Sequence, residues 1–538
     1  MMRPTFTVAG GISGRLALTL VVTAMAATLM VGVHWGTLAV GGSDSHCYVG
    51  QARMFAQGEL SLPPPLPPEI SWPGASAAYA PSGFTAASDG SGRSVPICPA
   101  GLSLAMAGAS KVGGEAALFL VVPIFGALCV WSTFVLGRHL AGPWVGAAAA
   151  ALVACSPTFL YQLVQPMNDV PAAALWVASL AAAVTAAGVP DERAFKHALG
   201  AGVLAGMAVM MRPNLVPLVV APVLIVALSR SSAPASRPQR KSFPRQFAAV
   251  AIVGAVPGIA TVLWLQDIIY GSPLRSGYGS FDQIFTLHNI GTNIIRYPTW
   301  LATAHTPVLA LALLAPLVGP LRKTAARLLA FALAVIALYL PYAAFTDWWY
   351  TRFLLPALPI LIVLTMTTVA ALVRRFGARW QVVIVLALTV LLAGYWVQRA
   401  DKLAVFQLKG LERKYRELGR YAATRMPRQA IVFAAQPSGA IRYYGRLPTL
   451  SWDAIAPDAL DGVVDDLVAH GYVPYFVVES WEKDTFRGRF AGHSRAADLD
   501  WPPRMILGRV ITVLDWTDRA RYLAGEIIPT ERLWWANK

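Results

Sequence analysis

Asp44 is the acidic residue whose place in the chain most invites chemistry. It lies in Gly41-Gly42-Ser43-Asp44-Ser45-His46-Cys47-Tyr48, directly after the first long apolar run, Leu16 to Val40. A carboxylate there sits where hydrocarbon gives way to water, within reach of both a lipid-borne and a water-borne reactant. It is a candidate general base; a helix N-cap or a plain polar boundary residue is the competing reading. His46 could support it by hydrogen bonding. Asp169, in Gln165-Pro166-Met167-Asn168-Asp169-Val170-Pro171, is the second candidate carboxylate, with Asn168 as support, although Asn or Asp ahead of Pro171 also starts helices well. Arg352, after Trp348-Trp349-Tyr350, and Arg212, between two apolar runs, suit an anion, because guanidinium presents a planar fork of donors and stays charged. An interfacial anchor and a helix-end cap are their structural alternatives. Arg275 and Tyr278, in Pro273-Leu274-Arg275-Ser276-Gly277-Tyr278-Gly279, are further candidates for contact with the same anion.

What must position these groups is a membrane protein. Of 538 residues 56% are hydrophobic and only 13% charged, and the apolar residues fall in long runs. We read eleven of them as spans: 16–38, 116–136, 143–163, 170–188, 198–211, 214–229, 247–266, 306–320, 327–345, 353–373 and 380–398. The net charge of +16 would suggest nucleic acid in a soluble chain, but the cations gather in alternate short loops. One such loop holds Arg230, Arg237, Arg240, Lys241 and Arg245, and another Arg374, Arg375 and Arg379. That is the positive-inside pattern, with the N-terminus cytoplasmic, and it leaves no nucleic-acid face. Arg3 and Arg15 ahead of the first run fit an uncleaved signal anchor better than a cleaved signal peptide.

Residues 1–399 are thus expected to form a transmembrane domain with outer loops at 41–115 and 267–305. The first loop opens on a helix, Cys47 to Glu59, and continues through a proline-rich extended stretch, Pro63 to Pro68. Beyond 400 both charge signs mix, and Ile431–Ala434, Tyr475–Val478 and Arg509–Leu514 read as strands with a helix at Asp458–His470. Residues 400–538 are expected to be an extracytoplasmic α/β domain. The four cysteines lack metal-ligand spacing, so no zinc site is expected. Cys47 and Cys98 share the first outer loop, where a disulfide is one expectation and free thiols the other.

Four segments taken together resemble the GT-C superfamily of glycosyltransferases, in its branch of protein O-mannosyltransferases and aminoarabinose lipid A transferases. They are Asp44 with its following helix, Val95-Pro96-Ile97-Cys98-Pro99-Ala100-Gly101, Gly202 to Met211-Arg212-Pro213, and Trp349-Tyr350-Thr351-Arg352-Phe353-Leu354-Leu355-Pro356-Ala357-Leu358-Pro359. The resemblance implies a GT-C-like polytopic α-helical fold and a polyprenyl-phosphate-linked sugar as donor. It also implies a glycan, lipid or protein acceptor on the outer face and inversion at the anomeric carbon. Asp44 would be the base, Asp169 an acidic residue on the acceptor side, and Arg352 and Arg212 the phosphate-binding groups. The family's second acid is replaced by Ser45. No cofactor is required by this reading; some branches hold a divalent metal, and nothing in the sequence fixes ligands for one. A flippase for lipid-linked sugars, or a polymerase or ligase, is the alternative reading. Abundant Ala and a preference for Arg over Lys fit a bacterial plasma membrane.

Overall fold

The computed structural model describes residues 12–189, 191–230, 243–279 and 281–535. Arg3, Arg237, Arg240 and Lys241 lie outside them. Among the described residues seven helices are long and apolar enough to cross a bilayer, or nine if each of two sharply bent pairs counts as one span. The expected count of eleven is not reached. The stretch Pro213–Leu228 is short, and its first part is a tight 3-10 helix with Pro217 inside it. Arg322–Tyr339 opens on Arg322 and Lys323 and carries Arg327.

The helix Asp169–Gly188 is the inner post of the bundle, with 83% of its apolar window buried by other helices. Around it, close helix contacts are made through small residues. Gly202 and Gly206 on Asp191–Met211 face Gly254 and Gly258 on Phe243–Tyr270. A methyl added to Gly202 would come within 2.0 Å of the Ala251 carbonyl, and one on Gly258 within 2.4 Å of the Gly206 backbone. Without hydrophobic contrast between helix and lipid, such backbone approach is what holds spans together. It fixes the helix that ends at Met211, and so fixes where Arg212 begins.

Residues beyond 408 fold around a mixed six-stranded sheet. Numbered along the chain after the hairpin β1 (Phe84–Ala86) and β2 (Ser94–Pro96), its strands are β3 (Ala430–Phe433), β4 (Thr449–Leu450), β5 (Val473–Glu479), β6 (Met505–Leu507), β7 (Ile511–Asp515) and β8 (Glu531–Leu533). Their order is β4-β3-β5-β7-β6-β8, with β3 parallel to both β4 and β5, and β7 antiparallel to β5 and β6. The three strands read from the sequence are β3, β5 and β7, and the helix is Leu460–Ala469. The two- and three-residue strands β4, β6 and β8 carry too few positions to show alternation.

This sheet does not build its core alone. Leu66, Ile70, Ala75, Ala78 and Tyr79, from the loop after the first candidate span, pack with Ile431, Phe433, Trp452 and Phe476. Hydrogen bonds stitch the same seam: Arg442 Nη2 donates to the Tyr79 carbonyl (2.6 Å), Ser451 N to Ala78 O (2.8 Å) and Ser82 N to Ser438 Oγ (2.8 Å). This loop thus packs against both the helical bundle and the sheet.

Cys47 and Cys98 are joined, across 51 residues of sequence, and tie the loop's first helix to its last turn. Loop-closure entropy for a bridge of that span is about 4 kcal/mol. Cys47→Ser with Cys98→Ser is therefore expected to lower the unfolding temperature in detergent, and reducing agent to do the same to the unaltered protein but not to the double variant.

Candidate functional site

The loop after the first span becomes the helix Gly42–Gln57, capped at its end by Gly58 at φ 79°. The N-cap is Gly41, with no side-chain cap. Asp44 therefore does not cap; it lies in the first turn, where the helix dipole favours a carboxylate. Its Oδ2 accepts a hydrogen bond from Arg352 Nη1 at 2.8 Å. Arg352 comes from the tight helix Trp348–Leu354, which the Pro356 turn joins to the next span, Leu358–Val373.

Arg212 arrives differently. Pro213 disfavours helical backbone at the residue before it, so the Asp191–Met211 helix breaks there, leaving Arg212 at φ −141° and ψ 90°. Its guanidinium pairs with Asp169 Oδ1 and donates to the Tyr339 hydroxyl at 2.8 Å. The Asn168 amide donates to the Met211 carbonyl at 2.6 Å, pinning the same break. Neither Asn168 nor Asp169 caps its helix by a side-chain bond.

The two arginines meet over one ring. The guanidinium carbon of Arg212 is 5.4 Å from the centre of Phe353, and that of Arg352 is 5.2 Å. Both open on a cavity of about 900 Å³. Its floor is spanning-helix residues such as Val209, Ile259 and Leu263, its walls are aromatic, and its roof includes Glu412, Tyr415 and Gln436. A cavity with an apolar floor, two guanidinium groups and a carboxylate suits a long apolar molecule with an anionic head that reacts with something polar.

Residues 99–264 match the family model described as dolichyl-phosphate-mannose-protein mannosyltransferase, a stretch that includes Gly101 and Arg212. Over the whole fold the chain is similar to the archaeal oligosaccharyltransferase AglB from Archaeoglobus fulgidus, solved with an inhibitory peptide and a dolichol-phosphate. Identity is 12%, the TM-score 0.54, and the likeness covers 90% of this chain and 72% of that one. It is also similar to ArnT from Cupriavidus metallidurans bound to undecaprenyl phosphate, at 12% identity and a TM-score of 0.52, over 94% of this chain and 98% of that one. No curated protein sequence matches the chain. The chain has the GT-C fold of membrane glycosyltransferases.

Within this GT-C fold the expected residues separate into three groups. Asp44, Arg352, Arg212, Asn168 and Tyr278 line the cavity. Asp169 is wholly buried behind Arg212 and does not line it, which corrects its expected place on the acceptor side. Arg275 is exposed away from the cavity, and His46 points from the helix's other face to the Ser82 carbonyl at 2.6 Å, against Phe84 and Gly439. Neither residue lines the cavity, although Leu274 and Ser276 on either side of Arg275 do. Burial lowers the His46 imidazole to about 4, so it is neutral at ordinary pH. The carboxylates of Asp44 and Asp169 each engage an arginine, and among the described residues no three His, Cys, Asp or Glu side chains gather.

Sequence reading missed the roof of this cavity. Glu412 lies on the amphipathic helix Leu408–Arg425 and looks like one more charge on a solvated face. Its carboxyl meets the loop at Gly41, where a methyl would fall 1.9 Å from it. Half-buried by area but turned toward the cavity, it is pushed by burial up to about 7, Lys414 working against the shift and Glu479 adding to it. The folded state then holds a proton that the unfolded chain has released between about 4.5 and 7, so this residue's contribution falls as pH rises through that window. Glu412→Gln is expected to raise stability above pH 7 by about 1–2 kcal/mol, after allowance for screening in the open cavity, and to change little near pH 4. Thermal unfolding at the two pH values measures it.

Proposed function

We propose that the protein is an inverting glycosyltransferase, moving a sugar from a polyprenyl-phosphate donor to an acceptor hydroxyl at the outer face of a bacterial plasma membrane. One observation carries this reading: Asp44 and Arg352 in contact on the wall of a cavity that Arg212 also faces. The family match to mannosyltransferases, and the lipid phosphates bound by AglB and ArnT, support the donor class. The cation-rich alternate loops support an outward-facing cavity with the N-terminus cytoplasmic and the C-terminal sheet extracytoplasmic.

In this mechanism the donor's lipid lies along the apolar floor and its phosphate takes the guanidinium groups of Arg352 and Arg212. The acceptor oxygen attacks the anomeric carbon from the face opposite the phosphate. Its proton passes to Asp44, the bond from that carbon to the phosphate oxygen breaks, and the lipid phosphate leaves with its charge met by both arginines. Phosphate leaves without a general acid, so one carboxylate suffices. Asp169 is a positioning residue, holding Arg212. Tyr278, at the cavity edge, contacts the donor head.

The test is reconstitution into proteoliposomes with a panel of polyprenyl-phosphate monosaccharides. The expected result is release of polyprenyl phosphate and a product of inverted anomeric configuration by NMR. Movement of intact donor across the bilayer with no product would sink the proposal in favour of a flippase.

A further inference from the structure

A second cavity, of about 440 Å³, opens between the first outer loop and the C-terminal sheet. It shares Ser43, Ile97 and Gln436 with the first, so it meets the catalytic cavity one residue from Asp44. On its outer side are the Trp481 indole, 63% exposed, and the exposed Asp453 carboxylate. The indole is exposed but not loose. Its Nε1 donates to Glu479 Oε2 at 3.1 Å, and the same oxygen takes Lys414 Nζ at 2.6 Å. Glu482 beneath it is buried and accepts from the backbone amides of Gln436 (2.9 Å) and Glu479 (2.8 Å), which fixes the turn that carries Trp481.

We infer that this cleft is the acceptor subsite and that it takes an uncharged oligosaccharide, stacked on Trp481 and hydrogen-bonded by Asp453, with its attacking hydroxyl directed past Ser43 to Asp44. The inference rests on the glycosyltransferase reading and deepens it by naming the acceptor class. A flat, anchored indole offers apolar area to the C–H face of a sugar ring, and a carboxylate accepts from its hydroxyls. Among the described residues no Lys or Arg lines the cleft, so a phosphorylated acceptor would find no counter-charge there. A peptide adding to the sheet would need a free strand edge. At β4 that edge is covered by the outer loop: Ser451 N donates to Ala78 O at 2.8 Å and Ser451 Oγ to Ala80 O at 2.7 Å.

The experiment measures binding of short neutral mannan, galactan, arabinan and glucan fragments to the detergent-solubilised full chain by saturation-transfer NMR. Phosphorylated monosaccharides and Ser/Thr peptides are the comparison probes. At least one neutral fragment is expected to bind, to the unaltered protein and to Asp44→Asn alike. Trp481→Ala is expected to weaken it about tenfold or more, equivalent to about 1.4 kcal/mol, and Asp453→Asn to weaken it less. In proteoliposomes Trp481→Ala should raise the acceptor KM and leave donor binding unchanged. Binding of peptides or phosphosugars in place of neutral fragments would overturn the inference, as would fragment binding indifferent to Trp481→Ala. Fragment binding that depends on Trp481, in a protein that consumes no donor, would support the subsite and overturn the catalytic reading.

Discussion

Replacing Asp44 by Asn is expected to reduce transfer about 10²–10⁴-fold while the donor still binds as tightly as before or tighter. The asymmetry follows from the 2.8 Å contact with Arg352. Before the donor arrives, the carboxylate holds the guanidinium; a phosphate must compete for it. Asparagine keeps the volume and one acceptor oxygen but removes the charge, so Arg352 is released to the phosphate while the proton acceptor is lost. kcat should collapse with donor KM unchanged or lowered. Arg352→Gln is expected to raise donor KM and also to lower kcat, because the same guanidinium meets the leaving charge, and Arg352→Lys should rescue poorly because an ammonium lacks the planar fork. Steady-state kinetics in proteoliposomes separate these patterns. Full activity in Asp44→Asn would end the assignment of the base, and a rise in donor KM there would end the competition argument.

Much of the fold was legible because a bilayer imposes a coarse requirement. An apolar run must be helical and of spanning length, whatever its partners, and the runs at 16–38, 170–188 and 380–398 satisfy it by composition alone. Among the described residues the seven to nine candidate spans differ from the expected eleven where composition and geometry part. Pro213 and Pro217 hold the Pro213–Leu228 stretch partly in a tight helix. The spacing that brings Arg212 beside Tyr339 is set by glycine contacts with another helix, which hydropathy does not register.

Of the candidate site, Asp44 and Arg352 were singled out by their motifs, and the structure brings them to one cavity. They are 308 residues apart, and nothing local announces that they touch. The roof was illegible for a different reason. Glu412, Tyr415 and Gln436 belong to a segment whose mixed charge reads as soluble surface, and it is long-range contacts, among them the seam with Ala78, Tyr79 and Ser82 and the bond from Val40 N to the Tyr444 hydroxyl, that hold that segment over the cavity. Asp169 and Asn168 stand where a helix starts, yet neither caps it, because a buried guanidinium and an open carbonyl compete for them.

That buried pair should be the most damaging to break. The Asp169 side chain is 0% exposed and that of Arg212 8%. Removing either partner strands the other charge away from water, at about 3–5 kcal/mol, whereas removing both in favour of well-packed apolar groups is often neutral or stabilising. Asp169→Ala is thus expected to unfold at markedly lower temperature or fail to accumulate. Asp169→Leu combined with Arg212→Met, and with Tyr339→Phe to spare its hydroxyl, should recover thermal stability. It should not recover donor affinity, because the cavity then has one guanidinium where it had two. If the Asp169→Ala protein were as stable as the unaltered one, the pair would not hold the bundle. If the triple variant bound donor normally, Arg212 would have no part in phosphate recognition, and the work of meeting the leaving charge would fall to Arg352 alone.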